Sequence, residues 1–224
     1  MEFQGYEYFV EGAPDYALLT VKLPANETVK VEAAAMASMD TNLKMKTKMG
    51  GGFKRFLSGE SLFINEFTAQ GAGGEIKIAP PSPGDVQHVY LDGQTPVYLQ
   101  NSAYVASSPS VELDTKFAGL KGFFSGTGLF LVNCKGTGDL WFSSYGALIE
   151  IDIDGDYVID NNHIVAFTGD LDYKITSLGG MKSLFFSGEA LVCKFSGQGK
   201  VWVQSRAVAP LLSWVYPFRP ASKD

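Results

Sequence analysis

Apolar and polar side chains trade places at every second position in several short stretches of this chain. Residues 75–79 (EIKIA), 88–91 (HVYL), 97–100 (VYLQ), 147–154 (ALIEIDID) and 201–205 (VWVQS) alternate or form short β-branched runs. A period of two belongs to an extended strand, whose successive side chains point to opposite faces. Turn-forming clusters separate these stretches: PPSPGD at 80–85, DGQTP at 92–96 and DGD at 154–156. Helical spacing is essentially absent, apart from one turn's worth near AAAM at 33–36. The pattern predicts an all-β fold.

Order also recurs at longer range. FLSGESLFINEFTAQGAGGEIKIA starts at Phe56, FFSGTGLFLVNCKGTGDLWFS at Phe123 and FFSGEALVCKFSGQGKVWVQS at Phe185. Their Ser-Gly glycines, Gly59, Gly126 and Gly188, are 67 and 62 residues apart, each followed three positions later by Leu62, Leu129 or Leu191. A second anchor aligns AAAMASMD, NSAYVASSP and NNHIVAFTG on Ala37, Ala106 and Ala166, 69 and 60 residues apart. Two anchors with similar offsets predict three tandem copies of one β-unit of about sixty residues. The expected divisions are 1–90, 91–153 and 154–210, with a tail over 211–224.

The repeated Gly-x-Gly suggests a phosphate loop only until its surroundings are considered. A dinucleotide fingerprint needs a third glycine and a following helix. Trp141 stands where that glycine would follow Gly136 and Gly138, and Gly197-x-Gly199 leads into the strand-like KVWVQS. These glycines are expected to supply positive φ at turns or bulges.

Composition narrows the class further. Of 224 residues, 46% are hydrophobic and 19% charged, enough apolar matter for a sizeable core. The net charge of −6 argues against general affinity for nucleic acid or anionic membrane, although a local basic patch is compatible with it. The start, MEFQGYEYFVEG, lacks the basic and apolar regions of a signal peptide, and no apolar run is long enough for a membrane helix. A cytoplasmic location is expected. Cys134 and Cys193 lie in apolar strand-like runs without metal-ligand spacing. They suit small buried hydrophobes in a reducing compartment, with a disulfide between repeats as the alternative.

The segments SGE-x-L, TAQGAGGEIKIAPPSPGD, DNNHIVAF and GQGKVWVQSR resemble the altered-inheritance-of-mitochondria (AIM-type) family. That family includes bacterial and archaeal proteins and relatives linked to mitochondrial biogenesis. The resemblance runs from about Tyr6 to Arg206. It implies three tandem units similar to the tryptophan RNA-binding attenuation protein (TRAP), short double-stranded β-helix or sandwich repeats in a pseudo-threefold arrangement. It further implies a homotrimer imitating a nine-unit ring. It transfers no catalytic residue and no cofactor. The function it implies is a non-enzymatic scaffold or binding module, with a protein partner that the sequence does not identify.

Four groups of residues invite chemical readings. In EIDIDGDYVID, Glu150, Asp152 and Asp154 with Gly155 imitate the first half of a calcium loop, but Asn161 stands where a bidentate glutamate is required. A strand with Ile149, Ile151 and Ile153 inward, Asp156 and Asp160 beyond its turn, is the expected form. In NLKMKTKMGGGFKR, Lys44, Lys46 and Lys48 share one strand face, and Lys54 and Arg55 follow three glycines. That face suits RNA phosphates or anionic headgroups, or else guards a sheet edge against pairing. RNA recognition would need stacking platforms repeated in every unit, whereas these cations cluster in the first, so nucleic acid is not the expected partner.

His88 and His163 are too few for a multi-histidine metal site within one chain, and no metal is expected. His163 occupies the place of Ala35 and Ala103 in the other repeats. With Asn161 and Asp160 it forms the candidate for a small-molecule or hydrolytic site, against the simpler reading of a structural loop histidine. No Gly-x-Ser-x-Gly elbow supports a serine hydrolase. The tail residues Leu211, Leu212, Trp214, Val215, Tyr216 and Phe218 are expected to pack on the third repeat or a neighbouring subunit. Contact with a partner or a membrane surface is the alternative.

Overall fold

The alternating stretches fold as strands, and every ladder among the described residues is antiparallel. The computed structural model of the chain describes residues 5–49, 63–114, 131–176 and 192–219. The Ser-Gly segments around Gly59, Gly126 and Gly188 lie outside the described residues, as do Lys54 and Arg55.

Strand β1 (Glu7–Glu11) comes first. Six follow: β2 (Leu18–Leu23), β3 (Thr28–Glu32), β4 (Met36–Met39), β5 (Leu43–Met49), β6 (Phe63–Ala69) and β7 (Gly74–Ile78). The next six are β8 (Val86–Asp92), β9 (Val97–Gln100), β10 (Tyr104–Ser107), β11 (Glu112–Asp114), β12 (Leu131–Lys135) and β13 (Thr137–Ser143). The last are β14 (Leu148–Asp154), β15 (Tyr157–Asp160), β16 (Ile164–Thr168), β17 (Asp172–Thr176), β18 (Val192–Ser196) and β19 (Gln198–Gln204).

One pairing order holds in each set of six. The first and third strands flank the sixth, as β2 and β4 flank β7, β8 and β10 flank β13, and β14 and β16 flank β19. The second and fourth flank the fifth, as β3 and β5 flank β6, β9 and β11 flank β12, and β15 and β17 flank β18. Two ladders connect one six to the next, β3 with β10 and β9 with β16. The resulting sheets are β1-β2-β7-β4, β5-β6-β3-β10-β13-β8, β11-β12-β9-β16-β19-β14 and β15-β18-β17.

Three apolar cores lie between these four sheets. The first joins Leu19, Val21, Ile76 and Ile78 to Val31, Phe67, Val105 and Trp141. The second gathers Tyr104, Leu140, Phe142, Leu99, Val165 and Trp202, and the third holds Phe167, Val201, Ile159, Cys193 and Phe195. Alternation along β13 sends Trp141 to the first core and Leu140 and Phe142 to the second. The two central sheets are therefore buried on both faces, which explains the short, nearly continuous apolar runs YVAS and IVAF.

Three details depart from expectation. Each third strand carries an irregularity in its ladder, between Met36 and Ser38, Tyr104 and Ala106, and Ile164 and Ala166. The extra residues are Ala37, Val105 and Val165, so Ser38, not Ala37, takes the pairing place of Ala106 and Ala166. In β14 only Ile153 is fully buried, and Ile149 is 50% exposed because the strand lies at a sheet edge. The tail forms a helix, α1 (Val208–Val215), and a 3-10 turn over Tyr216–Phe218, with no residue buried. Trp214 is 67% and Phe218 74% exposed, so among the described residues packing of these rings on the strands is not observed.

Glycines make the corners where the chain leaves the fifth strand for the sixth in another sheet. Gly136 has φ +101° and Gly197 +108°. A Cβ at Gly136 would also run into the Ser110 carbonyl oxygen.

Candidate functional site

The most elaborate polar cluster is centred on Asp139 of β13, which is 1% exposed. The ladder with β8 sets Asp139 opposite Tyr90 and Trp141 opposite His88. On that diagonal His88 Nε2 comes within 2.8 Å of Asp139 Oδ1. A carboxylate only accepts, so Nε2 carries the hydrogen of this bond. Oδ2 accepts from the Tyr6 backbone N–H at 2.9 Å and from Ser108 Oγ at 3.2 Å, while the Asp139 backbone N–H donates back to Ser108 Oγ at 2.9 Å. Tyr8 lies over the His88 ring, with centroids 4.5 Å apart, and meets Trp141 edge-on at 5.6 Å. Gly5, at φ +100°, is the residue that lets the backbone come this close, because a Cβ there would collide with the carboxylate.

Beside this cluster opens a cavity of about 450 Å³ lined by Gly5, Tyr6, Glu27, Tyr90, Ser110 and Asp139 among others. The Tyr6 hydroxyl donates to the Thr28 carbonyl at 2.9 Å and approaches Glu27 Oε2 at 3.3 Å. Burial, reinforced by Glu27, pushes the Tyr6 phenol well above its ordinary range. Glu27 and Asp139 give this lining carboxylate groups, and Tyr6 and Tyr90 give it phenols. Asp139 itself already takes three hydrogen bonds, which makes it a clasp tying β1 to β8 and β13 rather than a base with free lone pairs.

The residues singled out in the sequence fall into separate places. Asp160, Asn161 and His163 share the 3-10 turn between β15 and β16. Asp160 Oδ1 caps it by accepting from Asn162 N at 2.7 Å, and His163 Nδ1 donates to the Gln204 carbonyl at 2.6 Å. Gln204 Nε2 returns to the Asn162 carbonyl at 2.8 Å. Asn161 is 4% exposed, and among the described residues neither of its side-chain polar atoms has a partner. Of the basic run, Lys44 and Lys46 are exposed on β5, the end strand of its sheet, and Lys46 stands opposite Glu66.

The acidic run does not coil into a cation loop. Glu150 and Asp152 lie along β14 and meet Lys200, while Asp154 accepts from Gln198 Nε2 at 3.0 Å. Glu150 Oε2 also accepts from Trp202 Nε1 at 2.9 Å. Among the described residues no three His, Cys, Asp or Glu side chains stand close enough to share a metal ion. Cys134 and Cys193 are free and buried in different cores, and burial pushes the Cys193 thiol up to about 12. Among the described residues no helix is long and apolar enough to cross a membrane.

The His88–Asp139 pair escaped sequence reasoning because its members are 51 residues apart and meet only through the β8–β13 register. The nearest signal was the aspartate itself, a charge between Gly138 and the apolar run Leu140–Phe142.

Comparison with known proteins adds three findings. The family model described as mitochondrial biogenesis AIM24 matches residues 8–206. An uncharacterized protein of Streptococcus pyogenes serotype M6 is 26% identical over 231 residues, spanning 97% of this chain and 92% of the relative. An X-ray crystal structure of a protein from Streptococcus pyogenes superposes with a TM-score of 0.80 at 26% identity, covering 96% of this chain and 100% of that one.

Proposed function

The chain belongs to the mitochondrial biogenesis AIM24 family, and we propose that it acts as a non-enzymatic scaffold or binding module, a homotrimer whose chains each contain three TRAP-like β-units. The observation that carries this reading is the pairing order, which is the same in β2–β7, β8–β13 and β14–β19. A unit of this kind does not close on itself. Its second strand pairs with the third strand of the unit that follows, as β3 does with β10 and β9 with β16. Architectures built from such neighbour contacts present long continuous surfaces, which suits docking of a protein partner. A cytoplasmic setting is consistent with two buried thiols left unpaired.

A native mass spectrum tests the reading directly. A trimer without added mass supports the scaffold, and a monomer at working concentration overturns the trimer. A reproducible adduct would shift the function toward ligand binding.

The second reading, a small-molecule site at Asp160, Asn161 and His163, draws on one feature. Asn161 is buried and both its side-chain polar atoms are unpartnered among the described residues, an arrangement that a bound polar group would relieve. If His163→Ala and Asn161→Ala leave any adduct and the thermal stability unchanged, that site is ruled out.

A further inference from the structure

We propose that strand β4 of one chain pairs antiparallel with strand β15 of a second copy, Ser38 opposite Ile159 and Met39 opposite Val158. This inference rests on the three-unit reading above and names the contact that would join the chains.

Within one chain the second strand of a unit takes the third strand of the next. That rule leaves two strands without a neighbour, β4 at the start and β15 at the end. Among the described residues each is the last strand of its sheet, in β1-β2-β7-β4 and β15-β18-β17. Joining β4 to β15 of another copy would continue one sheet through β2-β7-β4 into β15-β18-β17. This is the order of both central sheets, where β8-β13-β10 continues into β3-β6-β5 and β14-β19-β16 into β9-β12-β11.

Exposure separates the open ends from the closed joints. All four residues of β10 are buried, and so are Ile164 to Phe167 of β16. The corresponding β4 is exposed throughout, with Met36 at 37% and Met39 at 38%. On β15, Tyr157 is 46% and Val158 45% exposed. Apolar side chains on an unpaired edge form a template for another strand, and natural sheets usually blunt such edges with lysine or proline. Here neither end strand carries a lysine or a proline.

The register follows from the two internal joints. Past the bulge, Ala106 faces Val31 and Ser107 faces Lys30, while Ala166 faces Leu99 and Phe167 faces Tyr98. Ser38 and Met39 follow the same irregularity in β4. Leu99 and Ile159 each stand two residues before a 3-10 turn, Asn101–Ala103 and Asn161–His163, so Ile159 takes the place of Leu99 and Val158 that of Tyr98.

The occupant is a second copy because each chain carries both halves of the joint at opposite ends of its layered cores. β4 pairs with β7, whose Ile76 and Ile78 are in the first core, and β15 gives Ile159 to the third; among the described residues no ladder connects the two strands. Such a head-to-tail contact closes into a ring or grows into a filament. The contact is more polar than the internal joints. Lys77, opposite Thr20, stands where Trp141 faces His88 and Trp202 faces Glu150.

The test mixes separately purified Met39→Cys and Val158→Cys chains under mild oxidation and separates the products on a non-reducing gel. The buried Cys134 and Cys193 stay silent. A covalent dimer formed in the mixture and in neither variant alone supports the joint. No dimer, from chains whose native mass is still a trimer, overturns the joint and leaves the scaffold reading standing. A monomeric native mass overturns both. A disulfide inside single chains of the Met39→Cys/Val158→Cys double variant overturns pairing between copies. A charge pair gives an independent check, because like charges directly opposite weaken a ladder and opposite charges support it. Met39→Lys/Val158→Lys should shift to monomer at a concentration where Met39→Lys/Val158→Asp stays assembled. Equal assembly of the two overturns the register.

Discussion

His88 and Asp139 meet at 2.8 Å on a diagonal between β8 and β13, and the same diagonal between β14 and β19 holds Glu150 against Lys200. The ladder position is kept while the acidic partner changes strand. In both cases a tryptophan, Trp141 or Trp202, is the residue directly opposite the first member. Burial distinguishes the two: the Asp139 side chain is 2% exposed and Glu150 39%. The outer pair stays in high dielectric and adds little, whereas the inner cluster holds β1 in place.

Asp139→Ala should therefore destabilise strongly. It leaves the Tyr6 N–H and the His88 ring without their acceptor, and each buried donor left unpaired costs about 1–3 kcal/mol. Asp139→Asn keeps the shape and should fall between alanine and the parent. Urea midpoints measure the loss, and limited proteolysis should show first cuts within residues 5–11. An alanine variant as stable as the parent would mean that the clasp does not hold the N-terminal strand.

Glu32 should make stability depend on pH. Burial pushes its carboxyl from the ordinary 4.5 up to about 7, and its Oε2 is buried with no partner among the described residues. The folded state thus holds this proton more tightly than the unfolded chain. The contribution of Glu32 to stability is full below pH 4.5, is lost as pH rises from 4.5 to 7, and is level above that. Glu32→Gln should flatten the decline and leave the variant more stable than the parent at pH 8. Urea midpoints at pH 5 and pH 8 decide the matter, and parallel slopes for the two proteins would exclude Glu32 as the source.

Two glycines with nearly the same backbone angle should respond differently to alanine. Gly155 has φ +105° and nothing within 4 Å of the place a Cβ would take, so Gly155→Ala bears only the conformational strain, about 1–2 kcal/mol. Gly136 has φ +101° and the Ser110 carbonyl in the way, so Gly136→Ala should cost clearly more. Thermal midpoints of the two variants give the ranking, and equal losses would show that the corner after β12 relaxes freely.

Replacing Lys44, Lys46, Lys48, Lys54 and Arg55 with glutamine separates an edge guard from a binding face. On the guard reading the variant aggregates faster at unchanged fold, and its retention on RNA or anionic vesicles matches the parent. Retention that is salt-dependent in the parent and absent in the variant would instead assign the strand a phosphate-binding role.

The all-β class was visible in sequence because period-two alternation is a local property, complete within stretches such as EIKIA and VYLQ. Ala37 misled because a bulge adds one residue without disturbing the apolar pattern around it. The clasp was hidden for a different reason. Nothing near Asp139 names His88 or Tyr6, and their meeting depends on ladder register and on the path of β1. Helix α1 was obscured by proline at 210 and 217 and by clustered rather than spaced apolar residues. The acidic turn at Asp160 could be placed, while the burial of Asn161 depends on strands elsewhere in the chain.

Because the two central sheets serve a core on each face, the layers depend on one another unequally. The middle core is flanked by complete six-stranded sheets, while each outer core leans on a shorter one. Opening of the isolated chain should begin as fraying from its two outer layers inward, with the amides of β10 and β13 the last to exchange with solvent. Tyr104 and Phe142, both fully buried, lie where that retreat would end.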